Sequence, residues 1–248
     1  MKKTIFFLLA FLFPSAISAQ PLPARLTHTI IIDTDCALDD MRAVSLLLSV
    51  PGITVEAIVS SDGSVPPDEG SHKISSLLNE FNLNKIHVGS GDVVAGIDPP
   101  WRELNMQIIW GKKSSFKTPV TGAVALLEEK LKSANEKITI VCLCPLTNIA
   151  GLIARNESAL RKVERIIWYN DAVNPLSGFN YDCDTRAAEI VFKSGVRIDV
   201  ISGLNKDGAY FDTVLFEVCR TSTAKLGSVL YNAHRQEPAL EMLKQNHF

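Results

Sequence analysis

Residues 30–40 read IIIDTDCALDD, and this stretch decides the fold. The three isoleucines predict a buried parallel strand, because a strand covered on both faces of a sheet is a continuous apolar run. Four carboxylates follow within eight positions, and they belong to Asp33, Asp35, Asp39 and Asp40. In open α/β sheets, ligands bind at the carboxyl ends of the strands. The stretch therefore predicts a strand that ends at a charged binding site.

Four acidic side chains so close together need cations or protons, since two like charges 4 Å apart repel by ~1 kcal/mol even in water. A hard metal ion with oxygen ligands meets that need. The competing interpretation is structural, with Asp39 as the N-cap of a helix that buries Val44, Leu47 and Leu48. Capping accounts for one or two of the acids but not for all four, so we favour a functional site.

Alternation of strands and helices along the rest of the chain predicts the fold class. Apolar, β-branched runs predict further strands at 55–60, 85–89, 138–143, 163–169 and 197–202. Helical periodicity predicts helices over 71–81, 120–132 and 184–193. This pattern predicts an α/β protein with a mostly parallel open sheet and helices on both faces, but it does not give the strand order. The segment 90–118 predicts either a functional flap or an ordered surface excursion.

The start of the chain resembles a targeting segment. Lys2 and Lys3 precede an apolar run over residues 5–13, and small residues follow at 15–19. We expect residues 1–19 to be a signal peptide and residues 20–248 to be a single domain in the periplasm or secreted. The formal net charge of −2, without basic runs, gives no support to binding of nucleic acid or of a membrane surface.

The cysteine count is odd, at five. Export permits disulfides, but an odd number leaves at least one thiol free or intermolecular. Cys142 and Cys144 have no second pair with zinc-site spacing. We expect small, buried, apolar cysteines rather than a disulfide scaffold.

Three motifs resemble one family in the right order. The stretch 33–40, DTDCALDD, resembles the DTDxxxDD signature of the inosine–uridine-preferring nucleoside hydrolases. Residues 144–150, CPLTNIA, resemble that family's GPLTNIA, with Cys144 in place of glycine. Residues 178–189 resemble its EFN…DPEAA segment, with Gly178 in place of glutamate. The resemblance covers about Thr29 to Gly203 and implies a Rossmann-like α/β fold that hydrolyses ribonucleosides into ribose and free base.

The resemblance also implies a metal site and a catalytic base. Asp35, Asp40 and the backbone carbonyl of Leu143 match the positions that bind Ca²⁺ in the family. Asp35 would also act as the general base on the attacking water, and Asp33 would orient the cluster from behind.

The resemblance also assigns ribose binding to other positions, most of them in the same motifs. Asp39 and Asn180 match residues that contact the sugar hydroxyls, and Asn174 is a candidate for a further contact. Ser64 stands where the family has an asparagine after the second strand. After the fourth long strand, Thr147 or Asn148 is expected to cap a short helix.

One departure concerns the C-terminal part. The family's last metal-binding aspartate has no counterpart in a matching context, since Asp207 and Asp212 lie elsewhere and the sequence stops near His247. We therefore expect a truncated form with weak calcium binding. Its helices would leave Leu226, Val229 and Leu230 partly uncovered, so that a homo-oligomer or poor solubility is expected.

Two alternatives stay open at this point. The first is a truncated or degenerate homologue that does not catalyse, which Gly178 and Ser64 favour. The second is a phosphohydrolase of the haloacid-dehalogenase type, in which Asp33 and Asp35 would be nucleophile and acid. That motif normally has Thr or Val where Ala37 stands, and it gives Asp39 and Asp40 no role.

Overall fold

The computed structural model describes residues 27–112, 121–203 and 211–244. The predicted signal peptide, residues 113–118 of the predicted long segment, Asp207 and His247 lie outside these ranges. No helix in the described ranges is long and apolar enough to cross a membrane.

The described residues form one open sheet of seven parallel strands and a separate two-stranded hairpin. The sheet order is β4-β3-β2-β1-β5-β6-β9, and β7 pairs with β8. The predicted α/β class with a mostly parallel sheet is confirmed. The bounds are β1 His28–Thr34, β2 Ile53–Ser60, β3 His87–Ser90, β4 Thr121–Gly122, β5 Ile138–Cys142, β6 Val163–Asn170, β7 Ala172–Val173, β8 Leu176–Ser177 and β9 Ile198–Ser202.

Helices connect the strands and cover both faces of the sheet. Their bounds are α1 Leu38–Ser49, α2 Pro67–Glu80, α3 Arg102–Gln107, α4 Ala123–Ser133, α5 Thr147–Asn156, α6 Phe179–Cys183, α7 Thr185–Lys193, α8 Thr213–Thr221, α9 Lys225–His234 and α10 Glu237–Lys244. A 3₁₀ helix, Glu157–Lys162, follows α5.

The sheet divides the core in two, and the three isoleucines of β1 contribute to both halves. Ile31 packs on the face with α4, α5 and α7, whereas Ile30 and Ile32 pack on the face with α1 and α2. Successive side chains on a strand point to opposite faces, which explains this alternation. Each isoleucine is at most 4% exposed, and its burial contributes roughly 1.5–3 kcal/mol.

Three local expectations differ from the structure: the start of α2, the absence of a helix in the segment 90–118, and the cap of α5. Helix α2 begins at Pro67 rather than at residue 71, because proline suits a first helical turn that needs no N–H donor. The predicted loop 90–118 contains the six-residue helix α3. Neither Thr147 nor Asn148 caps α5 with its side chain, since both side chains bond to other elements.

The C-terminal helices bear out part of the expectation. Leu226 and Leu230 are partly exposed, as expected, whereas Val229 is 5% exposed because α9 packs against α1. Helix α10 packs against α3, and the more exposed apolar residues of the C-terminal helices lie on α8 and are Val214, Leu215 and Val218. All five cysteines are unpaired, and four of them are buried, as expected.

Candidate functional site

A cavity of about 270 Å³ lies at the carboxyl ends of the central strands β1, β5 and β6. It is placed there because β1 sits between β2 and β5, with β6 next in the sheet. The lining residues are Asp35, Ala37, Asp39, Asp40, Ser64, Trp101, Asn105, Leu143, Tyr169, Asp171, Phe179, Asn180 and Met242.

Asp35 lies at the first turn after β1 and is 2% exposed. Its Oδ2 accepts a hydrogen bond from the backbone N–H of Ser64 at 2.8 Å, and its Oδ1 accepts from that of Ala37 at 3.3 Å. Burial raises the pKa of Asp35, while the bond from Ser64 acts in the opposite direction. The next residue, Cys36, has a φ of 60°, in the left-handed region, which turns the chain sharply into α1.

Asp39 and Asp40 occupy the first turn of α1, where the partial positive charge of the helix N-terminus favours carboxylates. Asp40 is buried and its Oδ2 accepts from the hydroxyl of Thr34 at 2.7 Å. Burial and the charge of Asp35 raise the pKa of Asp40 well above its usual range. Asp39 is half-buried and lines the same cavity.

Asp33 lies behind the cavity rather than in its lining, and it is 0% exposed. Its Oδ1 accepts from Ser61 and from Asn148, each at 3.0 Å, and its Oδ2 has no hydrogen-bond partner among the described residues. Burial raises the pKa of Asp33 to about 7 against these hydrogen bonds. A fully buried carboxyl cannot attack a phosphate ester, which argues against the phosphohydrolase alternative.

Leu143, directly after β5, and Asn180, on α6, are in contact beside the end of β1. The side-chain nitrogen of Asn180 donates to the carbonyl oxygen of Leu143 at 2.9 Å and to that of Tyr169 at 3.0 Å. These two carbonyls fix the orientation of the amide, because only the nitrogen can donate to them. The amide oxygen of Asn180 is then the atom left to accept a hydrogen bond from a ligand.

Two residues that the sequence analysis connected with sugar binding, Asn174 and Gly178, do not contribute to the cavity as expected. Asn174 is exposed in the turn between β7 and β8 and is not among the residues lining the cavity, so the structure does not bring it together with the other candidates. Gly178 has a φ of 119°, and a Cβ there would lie 2.3 Å from Oδ2 of Asp171. The carboxylate of Asp171 thus occupies the space beside the position where the family has glutamate.

The rest of the lining was missed by sequence reasoning. Trp101 and Phe179 pack edge to face with ring centroids 5.2 Å apart, and Trp101 Nε1 donates to the hydroxyl of Ser64 at 3.0 Å. Met242 and Asn105 come from α10 and α3, which pack against each other. The length of the segment 90–118 was the only sequence feature that indicated a functional loop in this part of the chain.

The donor atoms around Asp35 suit a hard divalent cation. Asp35 and Asp40 are close enough to share a hydrogen bond when one of them is protonated. A cation would relieve the repulsion between the two charged forms, and the Leu143 carbonyl adds a third oxygen. Oxygen donors favour calcium or magnesium over zinc. No group of three His, Cys, Asp or Glu side chains is arranged to hold a metal within the described ranges.

The fold and the site together define an α/β protein with an acidic cavity for a small polar ligand. Comparison with known proteins makes this specific, since residues 30–244 match the model of the family "Inosine-uridine preferring nucleoside hydrolase". The chain belongs to this family.

Individual relatives agree with the family. The pyrimidine-specific ribonucleoside hydrolase RihA of Shewanella sp. (strain ANA-3) is 32% identical over 188 residues, which are 70% of this chain and 58% of that protein. The chain thus spans less than two thirds of the curated relative's length. A plant nucleoside hydrolase, the PpNRh1 enzyme, superposes with a TM-score of 0.76 at 26% identity, over 89% of this chain and 73% of its own. The purine-preferring ribonucleoside hydrolase of Gardnerella vaginalis shares the fold, with a TM-score of 0.72 at 21% identity over 88% and 74%.

Proposed function

We propose that this chain hydrolyses the N-glycosidic bond of ribonucleosides and releases ribose and free base. The observation that carries the proposal is the meeting of Asp35, Asp39, Asp40 and Asn180 at one cavity. All four side chains carry oxygens that can accept hydrogen bonds from sugar hydroxyls or from water, and they lie in a chain of the matching family.

Asp35 is the proposed general base. It takes a proton from a water whose oxygen bonds to the anomeric carbon through an oxocarbenium-like transition state. The bond between that carbon and the nucleobase nitrogen breaks, and its electron pair leaves with the nucleobase. A proton from solvent then neutralises the nucleobase. The N–H of Ser64 fixes the carboxylate of Asp35 in the cavity.

Asp39 and Asn180 are the proposed ribose-binding residues. Asp39 accepts hydrogen bonds as a carboxylate, and Asn180 accepts through the amide oxygen that its two backbone contacts leave over. Because both residues line the cavity that Asp35 also lines, the ribose would lie with its anomeric carbon near the carboxylate of Asp35.

We propose calcium as the metal, held by Asp35, Asp40 and the carbonyl of Leu143. Calcium accepts six to eight oxygens in flexible geometry, so water can complete a set of three protein donors. When bound, such an ion makes the attacking water more acidic.

We propose pyrimidine ribonucleosides as the substrate class, on the strength of the relatives named pyrimidine-specific. We also propose that residues 1–19 direct export, so that the enzyme meets nucleosides outside the cytoplasm. Fractionation of cells that express the full chain tests this, and protein found only with cytoplasmic markers would contradict it.

Release of ribose from uridine, cytidine and inosine, with calcium present, tests the activity. Asp35→Asn keeps the volume and an oxygen for Ser64 but removes the base, so we expect a loss of ~10²- to 10⁴-fold. Asp184→Asn is the matched control, because Asp184 lies outside the cavity. Asparagine keeps an oxygen for the capping bond from Ala187 N, and its amide nitrogen can donate to the hydroxyl of Thr147, which now donates to Oδ2 of Asp184. Absence of ribose release from a folded wild-type protein would favour the non-catalytic alternative.

A further inference from the structure

Asn105 is the one residue of the described cavity lining whose polar side chain is buried without any hydrogen bond. It lies on α3, is 2% exposed, and neither its Oδ1 nor its Nδ2 has a partner within the described chain. Buried amide groups in folded proteins are almost always paired. Because Asn105 also lines the cavity, a ligand there is the natural partner.

Large apolar side chains of the lining lie close to Asn105. Its backbone N–H donates to the carbonyl of Trp101 at 3.0 Å, and Met242 comes from α10, which packs against α3. The ring of Trp101 packs edge to face on that of Phe179, which also lines the cavity. Flat, apolar faces suit a planar ring, whereas the carboxylates suit hydroxyl groups. A nucleoside has this same division, with a hydroxylated sugar and a planar base that carries polar edge atoms.

We propose that the side-chain amide of Asn105 recognises the hydrogen-bonding edge of the nucleobase. This inference rests on the proposed function, since it requires a nucleoside in the cavity. It assigns to Asn105 a role in binding and specificity, and none in the chemical step at the sugar.

The chemistry of the amide determines which bases it accepts. An amide offers one acceptor and one donor side by side, which match the N3–H and the C4 carbonyl of uracil. The same amide turned over matches N3 and the amino group of cytosine. A base with a methyl group on N3 has lost its donor and presents a clash, so 3-methyluridine should be a poor substrate.

The backbone around Asn105 is held by contacts that do not involve its side chain. Arg102 forms an ion pair with the buried carboxylate of Asp62 at 2.8 Å. Lys73 donates to the carbonyl of Met106 at 2.9 Å and to that of Ile108. Because α3 is anchored at both ends, replacing the Asn105 side chain should leave the helix in place.

The test compares three substrates in wild type and in Asn105→Leu. The substrates are uridine, 3-methyluridine and 4-nitrophenyl β-D-ribofuranoside, whose leaving group has no amide-like edge. We expect kcat/KM for uridine to fall by ~10- to 100-fold in Asn105→Leu, the size of a lost hydrogen bond to a buried group. The value for the nitrophenyl riboside should not change, and the preference for uridine over 3-methyluridine should disappear.

Asn84→Leu is the matched control, because Asn84 is exposed, does not line the cavity and precedes β3, whereas the cavity lies at the carboxyl ends of the strands. Equal losses on all three substrates in Asn105→Leu would show a structural role and overturn the proposal. An unchanged preference for uridine over 3-methyluridine would overturn it as well.

A second measurement separates this proposal from the proposed activity. If wild type hydrolyses none of the three substrates, the proposed function fails, and binding of uracil and 3-methyluracil is measured by calorimetry. Uracil binding that is weakened by the N3-methyl group and by Asn105→Leu supports the role of Asn105. Absent binding, or binding that neither change affects, overturns it.

Discussion

The side-chain nitrogen of Asn180 donates to the carbonyl oxygen of Leu143 across 2.9 Å, and this bond ties α6 to the end of β5. The same nitrogen donates to Tyr169 on β6 at 3.0 Å. One amide therefore holds together the two strand ends that complete the cavity beside β1.

Asn180→Asp is predicted to destabilise the protein. It places a carboxylate oxygen opposite two carbonyl oxygens and removes the donor that they share, at a cost of about 1–3 kcal/mol. Urea unfolding at neutral pH measures this, with the exposed Asn84→Asp as control. Equal stability of the two variants would contradict the role given to the Asn180 nitrogen.

Gly63→Ala is predicted to displace Asp35, the proposed general base. A Cβ at Gly63 would lie 2.1 Å from Oδ2 of Asp35, so the carboxylate must move. A displacement of about 1 Å in an active site can cost 10²-fold, and we expect a loss of kcat of that order with uridine. The control is Gly122→Ala, where a Cβ meets nothing within 4 Å. Normal turnover by Gly63→Ala would mean that the position of Asp35 is not critical.

His234 is predicted to make stability fall in acid. Its Nδ1–H donates to the carbonyl of Leu230 at 2.8 Å, and its ring stacks on Phe211 with centroids 3.9 Å apart. Burial, opposed by that hydrogen bond and assisted by the charge of Arg42, lowers the pKa of His234 to about 4 from the usual 6.5.

The sign follows from proton binding. Between pH 6.5 and 4 the unfolded chain takes up a proton that the folded protein refuses, so this contribution to stability is complete above pH 6.5 and is lost on acidification. In that range the free energy of unfolding falls by up to about 1.4 kcal/mol for each pH unit of acidification. His234→Asn keeps a donor for Leu230 and should flatten the dependence of unfolding free energy on pH, whereas the exposed His72→Asn should not. Parallel curves for wild type and His234→Asn would refute this.

Calcium is predicted to raise the melting temperature. An ion that binds only the folded state stabilises it by RT ln(1 + [L]/Kd), about 2.7 kcal/mol at a hundredfold excess over Kd. Scanning calorimetry with millimolar calcium, against magnesium and against sodium at equal ionic strength, measures the effect. Asp40→Asn should reduce the shift because it removes one of two anionic donors. A melting curve that calcium leaves unchanged would count against the proposed metal site.

Six of the nine described strands were predictable, because they are rich in β-branched and other apolar residues even where Glu56, Glu164 or Asp199 interrupts the run. The first strand was recognised from three isoleucines, and it begins only two residues earlier, at His28. Helix α3 could not be predicted, since six residues are too few to show a helical period. Strand order depends on packing between distant segments, which no local pattern encodes.

The acids of the site were predictable from their density in the sequence, whereas the amides were not. Asn148 looked like a helix cap, but its side chain bonds to Asp33 across the sheet. Asn105 lies in a stretch without a recognisable pattern, and its importance follows from burial without a partner, which only a folded structure shows.

The central place of β1 has a consequence for the order of assembly during synthesis. On one side β1 pairs with β2, which follows soon after, but on the other Ile30 pairs with Thr139, about a hundred residues later. Asn180 is made later still. The aspartates after β1 therefore leave the ribosome well before the strands that complete their surroundings, and a growing chain carries them as an exposed, self-repelling segment until the second half arrives.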